Sequence, residues 1–374
     1  MGEASSAPDQ IISLPSGGGS IHGLGETFSP NLQTGTGNLT IPLEVPAGRN
    51  GMRPALDLVY STGSGNGPFG LGWTMGIPGV ARQTRHGVPR YRGEDTFVLS
   101  GAEDLVPVER LARAVRYRPR TEGLFARIVR IGDDGGAPAH DYWEVTGKDG
   151  LSSRYGTPRP PGAAATWRDP AATADPDDPR RIFAWALTRT SDALGNVVEY
   201  EYEADEGAAD GHRWRRPVLR RIRYADYDAP NGSVRFLVSV ELTHEPRPDP
   251  FSSYTAGFET RTTRRCRSVT TVVHPGADRP VRRYELGYEQ DPHNGVSLLT
   301  SVTAVGFDDA GVAQRELPAV LLRYGQLTPS ESRFAAVSGP DPPGVSLARP
   351  DHELVDLTGD GLPDVLQLDG VARY

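Results

Sequence analysis

Lysine is nearly absent from this chain: Lys148 stands alone among 40 lysines and arginines. Abundant alanine, glycine and proline accompany that bias, which suggests a GC-rich genome and weakens any functional reading of arginine clusters. Cysteine is as scarce, and with Cys266 alone no intrachain disulfide can form, so stability must come from packing. An excess of positive charge is missing too. The formal net charge of −8 removes the general attraction that binders of nucleic acid or anionic membrane rely on. No stretch approaches the ~20 apolar residues of a membrane helix, so insertion by helices is not expected. Residues 1–10 are small and polar, without a basic stretch or an apolar run. They do not read as a signal peptide, and export is expected to use another route.

What is present is turn and strand. The 374 residues exceed the usual reach of one hydrophobic core, so one large domain plus part of a second is expected. The 44 glycines and 33 prolines punctuate a chain whose 37% hydrophobic content is enough to fold. Apolar residues alternate at period two over residues 38–43 and 55–60, with a hairpin loop at 48–51 between them. The rhythm recurs at 95–99, 125–131, 142–146, 197–202, 234–242, 267–273, 282–288 and 317–324. Short strands between Gly, Pro, Asp and Asn turns, without long helical periods, predict an all-β architecture. Loops or boundaries are expected at 1–10, at the Pro/Ala/Asp-rich stretch 158–179, and at the Pro-rich stretch 328–350.

Several motifs invite a chemical reading that their context rejects. Gly65-Asn66-Gly67-Pro68-Phe69-Gly70 matches G-x-G-x-x-G, but such a fingerprint must open a helix whose amides meet the pyrophosphate. Residues 71–80 carry Gly72, Gly76, Pro78 and Gly79, so a glycine-rich β-turn is expected instead. Lys148 lacks the preceding glycines of a Walker A loop. His352-Glu353-Leu354-Val355-Asp356 misses H-E-x-x-H by one residue, with Pro350 before and Gly359 after it opposing the helix that zinc would need. Glu199-Tyr200-Glu201-Tyr202-Glu203 has the E-x-E spacing of ADP-ribosyltransferases; in a strand it places acids on one face and aromatics on the other. His212-Arg213-Trp214-Arg215-Arg216 with Arg220, Arg221 and Arg223 is a local basic cluster on an acidic chain, read as a solvated hairpin or an interface with an acidic partner. No G-x-S-x-G elbow or Ser/His/Asp set can be assembled. The chain is therefore expected not to be an enzyme.

The most specific local signal is Asp356-Leu357-Thr358-Gly359-Asp360-Gly361-Leu362-Pro363-Asp364, with oxygen-bearing residues at relative positions 1, 3, 5 and 9 and glycine at 6. Calcium prefers several oxygen ligands, and a tight glycine loop lets alternate residues point at one ion. The loop resembles those of FG-GAP and related propeller repeats. That resemblance implies side-chain oxygens from Asp356, Thr358, Asp360 and Asp364 and a backbone carbonyl from Leu362. Thr358 departs from the usual acid or amide, which should weaken the site; the alternative is a metal-free, hydrogen-bonded Asp turn.

A wider resemblance rests on Ile12-Ser13-Leu14-Pro15-Ser16-Gly17-Gly18-Gly19, on Gly35-Thr36-Gly37, on YSTGSGNGPFGLGW at 60–73 and on FVLSGAEDLV at 97–106. In order and spacing these are similar to the SpvB-type N-terminal region of Tc toxin B components. RIFAWALTRTSDALGNVVEYEY at 181–202 and SLLTSV at 297–302 continue the likeness to about Tyr324. Asp192-Ala193-Leu194-Gly195-Asn196 followed by Tyr200 and Tyr202 is also similar to Rhs/YD repeats. The resemblance implies a disordered leader over 1–10, an SpvB-like β domain of shell or sandwich type over 11–328, a Pro-rich linker over 329–350, and the first, incomplete propeller repeat of FG-GAP/VCBS type over 351–374. It implies a scaffold within a secreted bacterial toxin complex, helping to enclose a toxic effector. The implied partners are the pore-forming A component and the C component with its Rhs shell, and neither nucleic acid nor membrane insertion is implied. The alternative is a delivery module for an ADP-ribosyltransferase domain beyond Tyr374.

Overall fold

Period-two alternation becomes strand after strand. The computed structural model describes residues 24–31, 35–100, 103–121, 123, 125–132, 141–164, 166–325, 346–358, 363–368 and 372–373. Among them there is no α-helix, and the one helical turn is of 3-10 type at Arg49–Gly51. The chain divides into two compact units, residues Met1–Arg323 and Tyr324–Tyr374.

The first unit begins with β1 (Thr27–Asn31), β2 (Thr36–Pro42), β3 (Asp57–Ser61), a short hairpin of β4 (Asn66–Gly67) and β5 (Gly70–Leu71), and β6 (Trp73–Met75). Strands β1, β2, β3 and β6 form a four-stranded antiparallel sheet. Then come β7 (Gly79–Arg82), β8 (Phe97–Leu99), β9 (Glu103–Leu111), β10 (Ala114–Pro119), β11 (Arg127–Ile131), β12 (Tyr142–Thr146) and β13 (Ser152–Tyr155), each paired antiparallel with the next. After β14 (Ala172–Ala174), β15 (Ile182–Ser191) pairs with both β13 and β7 and so closes a barrel of eight strands. From β15 a meander of long strands leads away: β16 (Val197–Ala209), β17 (His212–Asp228), β18 (Val234–Ser253), β19 (Thr260–Val273), β20 (Arg279–Gln290) and β21 (Ser297–Phe307). Two short strands, β22 (Ala313–Glu316) and β23 (Val320–Leu321), end it on β21. The long strand expected over 317–324 is thus reduced to β23, because Pro318 has no amide to contribute to a ladder.

Strand β15 is the branch point. Arg189 pairs with β13 on one side and β16 on the other. Ala186 bonds to Gly156 and Ala171, which extend β13 and β14, through its own carbonyl and amide. The amide and carbonyl of one strand residue point the same way, so β13 and β14 share one edge of β15, while β7 and β16 occupy successive halves of the other. Along that second edge the chain splits: Gly79–Arg82 turns into the barrel and Val197–Ala209 into the meander.

Two cores follow. Inside the barrel, Phe97, Tyr117, Trp143 and Trp185 pack ring to ring, with centroids 4.9–5.9 Å apart. Two guanidiniums enter this aromatic stack, Arg82 and Arg130, each 5.0 Å from the Phe97 ring. They are neutralised by Asp95 at 2.7 Å and Asp141 at 2.6 Å. The second core lies between the apolar face of the meander and the first sheet: Ile222, Val240, Leu299 and Val302 against Ile41, Leu58 and Trp73, all with at most 1% exposure. Side chains buried to that degree contribute roughly 1.5–3 kcal/mol each. The second unit contains a three-stranded antiparallel sheet of β24 (His352–Val355), β25 (Asp364–Leu368) and β26 (Ala372–Arg373).

Candidate functional site

The glycine-rich stretch that mimics a nucleotide fingerprint is a plug docked on the meander. Asn66 pairs with Leu71 and Gly67 with Gly70, leaving Pro68 and Phe69 at the turn, and Phe69 is buried in the second core. The Cys266 amide donates to the Pro68 carbonyl at 2.8 Å. Gly72 has φ +80°, and a Cβ there would stand 2.4 Å from the Tyr60 ring, so only glycine fits. The clamp is Arg247 on β18. Its side chain is wholly buried; it donates to the Gly67 carbonyl (3.0 Å), to Asn66 Oδ1 (2.8 Å) and through two nitrogens to Asp249 (3.1 and 2.9 Å). Asp249 also accepts from the Ser297 amide at 2.8 Å and from Asn66 Nδ2 at 3.1 Å. Three segments distant in sequence meet at one ion pair. Sequence reasoning missed Arg247 and Asp249; the only hint was a charged, proline-spaced stretch, Pro246 to Pro250, inside a strand.

The E-x-E stretch lies on β16, and its acids are consumed by cross-strand arginines. Glu199 meets Arg223 at 3.0 Å, Glu201 meets Arg223 and Arg221 at 2.7 and 2.8 Å, and Glu203 meets Arg264 at 2.8 Å. Tyr202, on the other face, donates to the Leu187 carbonyl at 2.8 Å, and burial raises its pKa. Much of the basic cluster is the partner strand of this ladder, since β17 pairs with β16 along its length. Alternating acids and arginines across a sheet stabilise register and leave a polar face. Beyond the ladder that face is grooved: Thr243, Arg267, Arg283, Glu285, Ser301 and Thr303 line a hollow of about 490 Å³.

In the second unit the near-zinc motif is a strand, with His352 buried, its Nδ1 3.2 Å from Asp351, and Glu353 exposed. Of the five residues expected to ligate calcium, Asp356, Thr358 and Asp364 are described, whereas Asp360 and Leu362 lie outside the described residues. Asp364 Oδ2 accepts from the amides of Leu357 (2.9 Å) and Thr358 (3.2 Å), which folds the loop back on itself. Among the described residues no three acidic, histidine or cysteine side chains gather as a metal site would require. Of the quoted family stretches, residues 12–19 also lie outside the described residues, as do 329–345 of the linker expected over 329–350.

Residues 31–225 and 224–274 match the family described as SpvB, Salmonella virulence plasmid 65kDa B protein. The chain is 29% identical over 330 residues to the Mono(ADP-ribosyl)transferase SpvB of Salmonella typhimurium, covering 72% of this chain and 54% of that protein. It thus spans about half the length of the curated relatives it matches. In structure it is similar to a chain of the Photorhabdus luminescens Tc holotoxin pore, with TM-score 0.74 and 26% identity over 97% of this chain and 19% of that one. It is also similar to the N-terminal domain of effector protein SpvB from Salmonella typhimurium strain LT2, with TM-score 0.60 and 27% identity, covering 72% of this chain and 99% of that domain. These findings correct one expectation. The chain was expected not to be an enzyme, yet its curated relatives are named for mono(ADP-ribosyl)transferase activity. The chain matches little more than half of such a protein, and motifs in one region say nothing of a family's activity elsewhere.

Proposed function

Because this chain belongs to the SpvB family, with residues 31–274 matched by two overlapping segments of its description, we propose that it is a scaffold and delivery region of a secreted Tc-type toxin complex, forming part of a β-walled shell around a toxic effector. The observation that carries this reading is the fit of nearly the whole chain to the Tc holotoxin chain, with TM-score 0.74 over 97% of this chain. The long meander supports the reading physically, since one face is apolar and covered while the other is a polar, salt-bridged wall. In this proposal the partners are the A component, which forms the pore, and the C component, which completes the shell. The second unit is the first repeat of a calcium-binding propeller of FG-GAP type.

A second reading is favoured by the curated names: the same region delivers an attached ADP-ribosyltransferase. One exchange separates them. The matching segment of the Photorhabdus holotoxin chain is replaced by this chain, and assembly is followed by size-exclusion chromatography and electron microscopy. Assembly of the chimaera with its A and C partners is the expected result. A chimaera that is folded and soluble but never joins the complex would overturn the shell reading.

A further inference from the structure

Where β15 forks, the barrel and the meander part and leave a cavity of about 660 Å³. Its walls are largely apolar: Phe69, Met75 and Ile77 from the N-terminal segment, Ala186 of β15, and Leu219 and Leu242 of the meander. Two cationic or ionisable groups line it as well, Arg216 of β17 and His244 of β18. Arg216 is the anomaly. The residue is half-buried, and burial pulls its pKa below the ordinary arginine value. Yet among the described residues no carboxylate lies within ion-pair distance, and the one hydrogen-bond acceptor is the Thr262 hydroxyl, bonded to Nη1. Its cross-strand partner Asp205 is buried beside it but uses both oxygens on Thr263, on the amide at 2.9 Å and the hydroxyl at 2.6 Å. Asp205 supplies the larger, attracting charge and Arg247 a smaller, repelling one. A guanidinium carries five N–H donors, of which one is used here on Thr262. The unused donors belong to a side chain that lines an apolar chamber.

We propose that this cavity is a binding site for an amphipathic carboxylate, an apolar body with a single acid group, whose carboxylate sits on Arg216 and whose body lies along Ala186, Leu219 and Leu242. A planar guanidinium matches a carboxylate through two parallel hydrogen bonds, and the apolar walls reward a chain or ring rather than a small hydrophilic anion. The site is independent of the toxin reading, since it rests on this chain alone.

The test is calorimetric titration of the full chain with dodecanoate and with dodecan-1-ol, both below the concentration at which they aggregate. Dodecanoate should bind one to one and at least tenfold more tightly than the alcohol. R216M should weaken dodecanoate at least tenfold and leave the alcohol nearly unchanged. Should R216M fail to fold, A186L, which fills the chamber from β15, should weaken both probes. Equal affinity for acid and alcohol, an unaltered dodecanoate affinity in both variants, or no binding of either probe would overturn the proposal. N-acetyl-Leu-Leu-Phe with free and amidated ends distinguishes the source of the carboxylate. A peptide preferred over dodecanoate, with that preference lost on amidation, would overturn the small amphiphile in favour of a polypeptide terminus.

Discussion

Replacing Arg247 with methionine should undock the glycine-rich plug. The side chain it removes has 0% exposure and joins four hydrogen bonds to Gly67, Asn66 and Asp249, while the new thioether can still cover Phe251, whose ring centre lies 4.7 Å from the guanidinium. Removing one member of a buried ion pair costs roughly 3–5 kcal/mol because the other charge is left behind. Here Asp249 keeps its donors from Ser297 and Asn66 and is 11% exposed, which places the loss near the lower end, about 3 kcal/mol. At ~1.4 kcal/mol per factor of ten, that corresponds to a ~10²-fold change in the opening equilibrium. The Cys266 amide, bonded to Pro68, reports on it directly, so native-state hydrogen exchange at that amide should accelerate by about that factor. The effect should also depend on pH. Burial alone would raise the Asp249 carboxyl, but hydrogen bonds from Arg247, Ser297 and Asn66 outweigh it and hold the group well below the usual carboxylate range. A carboxyl depressed in the folded state contributes stability that is complete above the unfolded pKa, ~4, and fades as pH falls toward the folded value. The gap between wild type and variant should therefore be full at pH 7 and shrink below about pH 4. Exchange at Cys266 that changes less than tenfold, or a gap that widens on acidification, would refute the clamp.

Gly72→Ala should destabilise the first unit by about 2–4 kcal/mol, from the positive φ and the collision with Tyr60, and Y60L should recover the steric part in urea denaturation. Calcium titrated into wild type should release heat that Asp360→Ala diminishes; identical curves, or no heat in either, would show that the loop over 356–364 holds no metal. Amides in residues 352–355 and 364–368 should exchange faster than those of β3 and β18, because a three-stranded sheet offers little core of its own, and equal protection would contradict that.

The fold class was legible because alternation is a local signal. The expected runs at 142–146, 197–202 and 234–242 all fall on strands, as do the later parts of 95–99 and 125–131. Opposed faces on β16 were legible for the same reason, and the acids and tyrosines of 199–203 separate as alternation requires. The hairpin between β16 and β17 could have been found from Asp210-Gly211, whose φ values of +53° and +80° are those of the tight turn that such a pair favours. Its neighbouring arginines drew the reading toward charge instead of toward the turn. The strands of the barrel between 103 and 119 were missed because β9 carries Pro107 and β10 ends on Pro119, which read as breaks.

Closure of the barrel lay beyond sequence for a different reason. It depends on β15 accepting β7, a pairing between segments about 100 residues apart, as the Arg82 Nε bond to the Ile182 carbonyl at 2.7 Å illustrates. Alternation in β15 states that two faces differ, but it does not say which strands will lie on its edges. That choice is made by partners whose own sequences look ordinary: Gly79, Val80 and Ala81 on one edge, Ala172 and Thr173 on the other. The same division of one edge between β7 and β16 opens the chamber beside Arg216, so the cavity and the closure are one consequence of a single long-range pairing. A substitution that weakens the β7–β15 pairing, such as a proline at Ala184, should therefore loosen the barrel and alter the chamber together. The salt-bridged ladder of β16 and β17, held by its own hairpin, should remain.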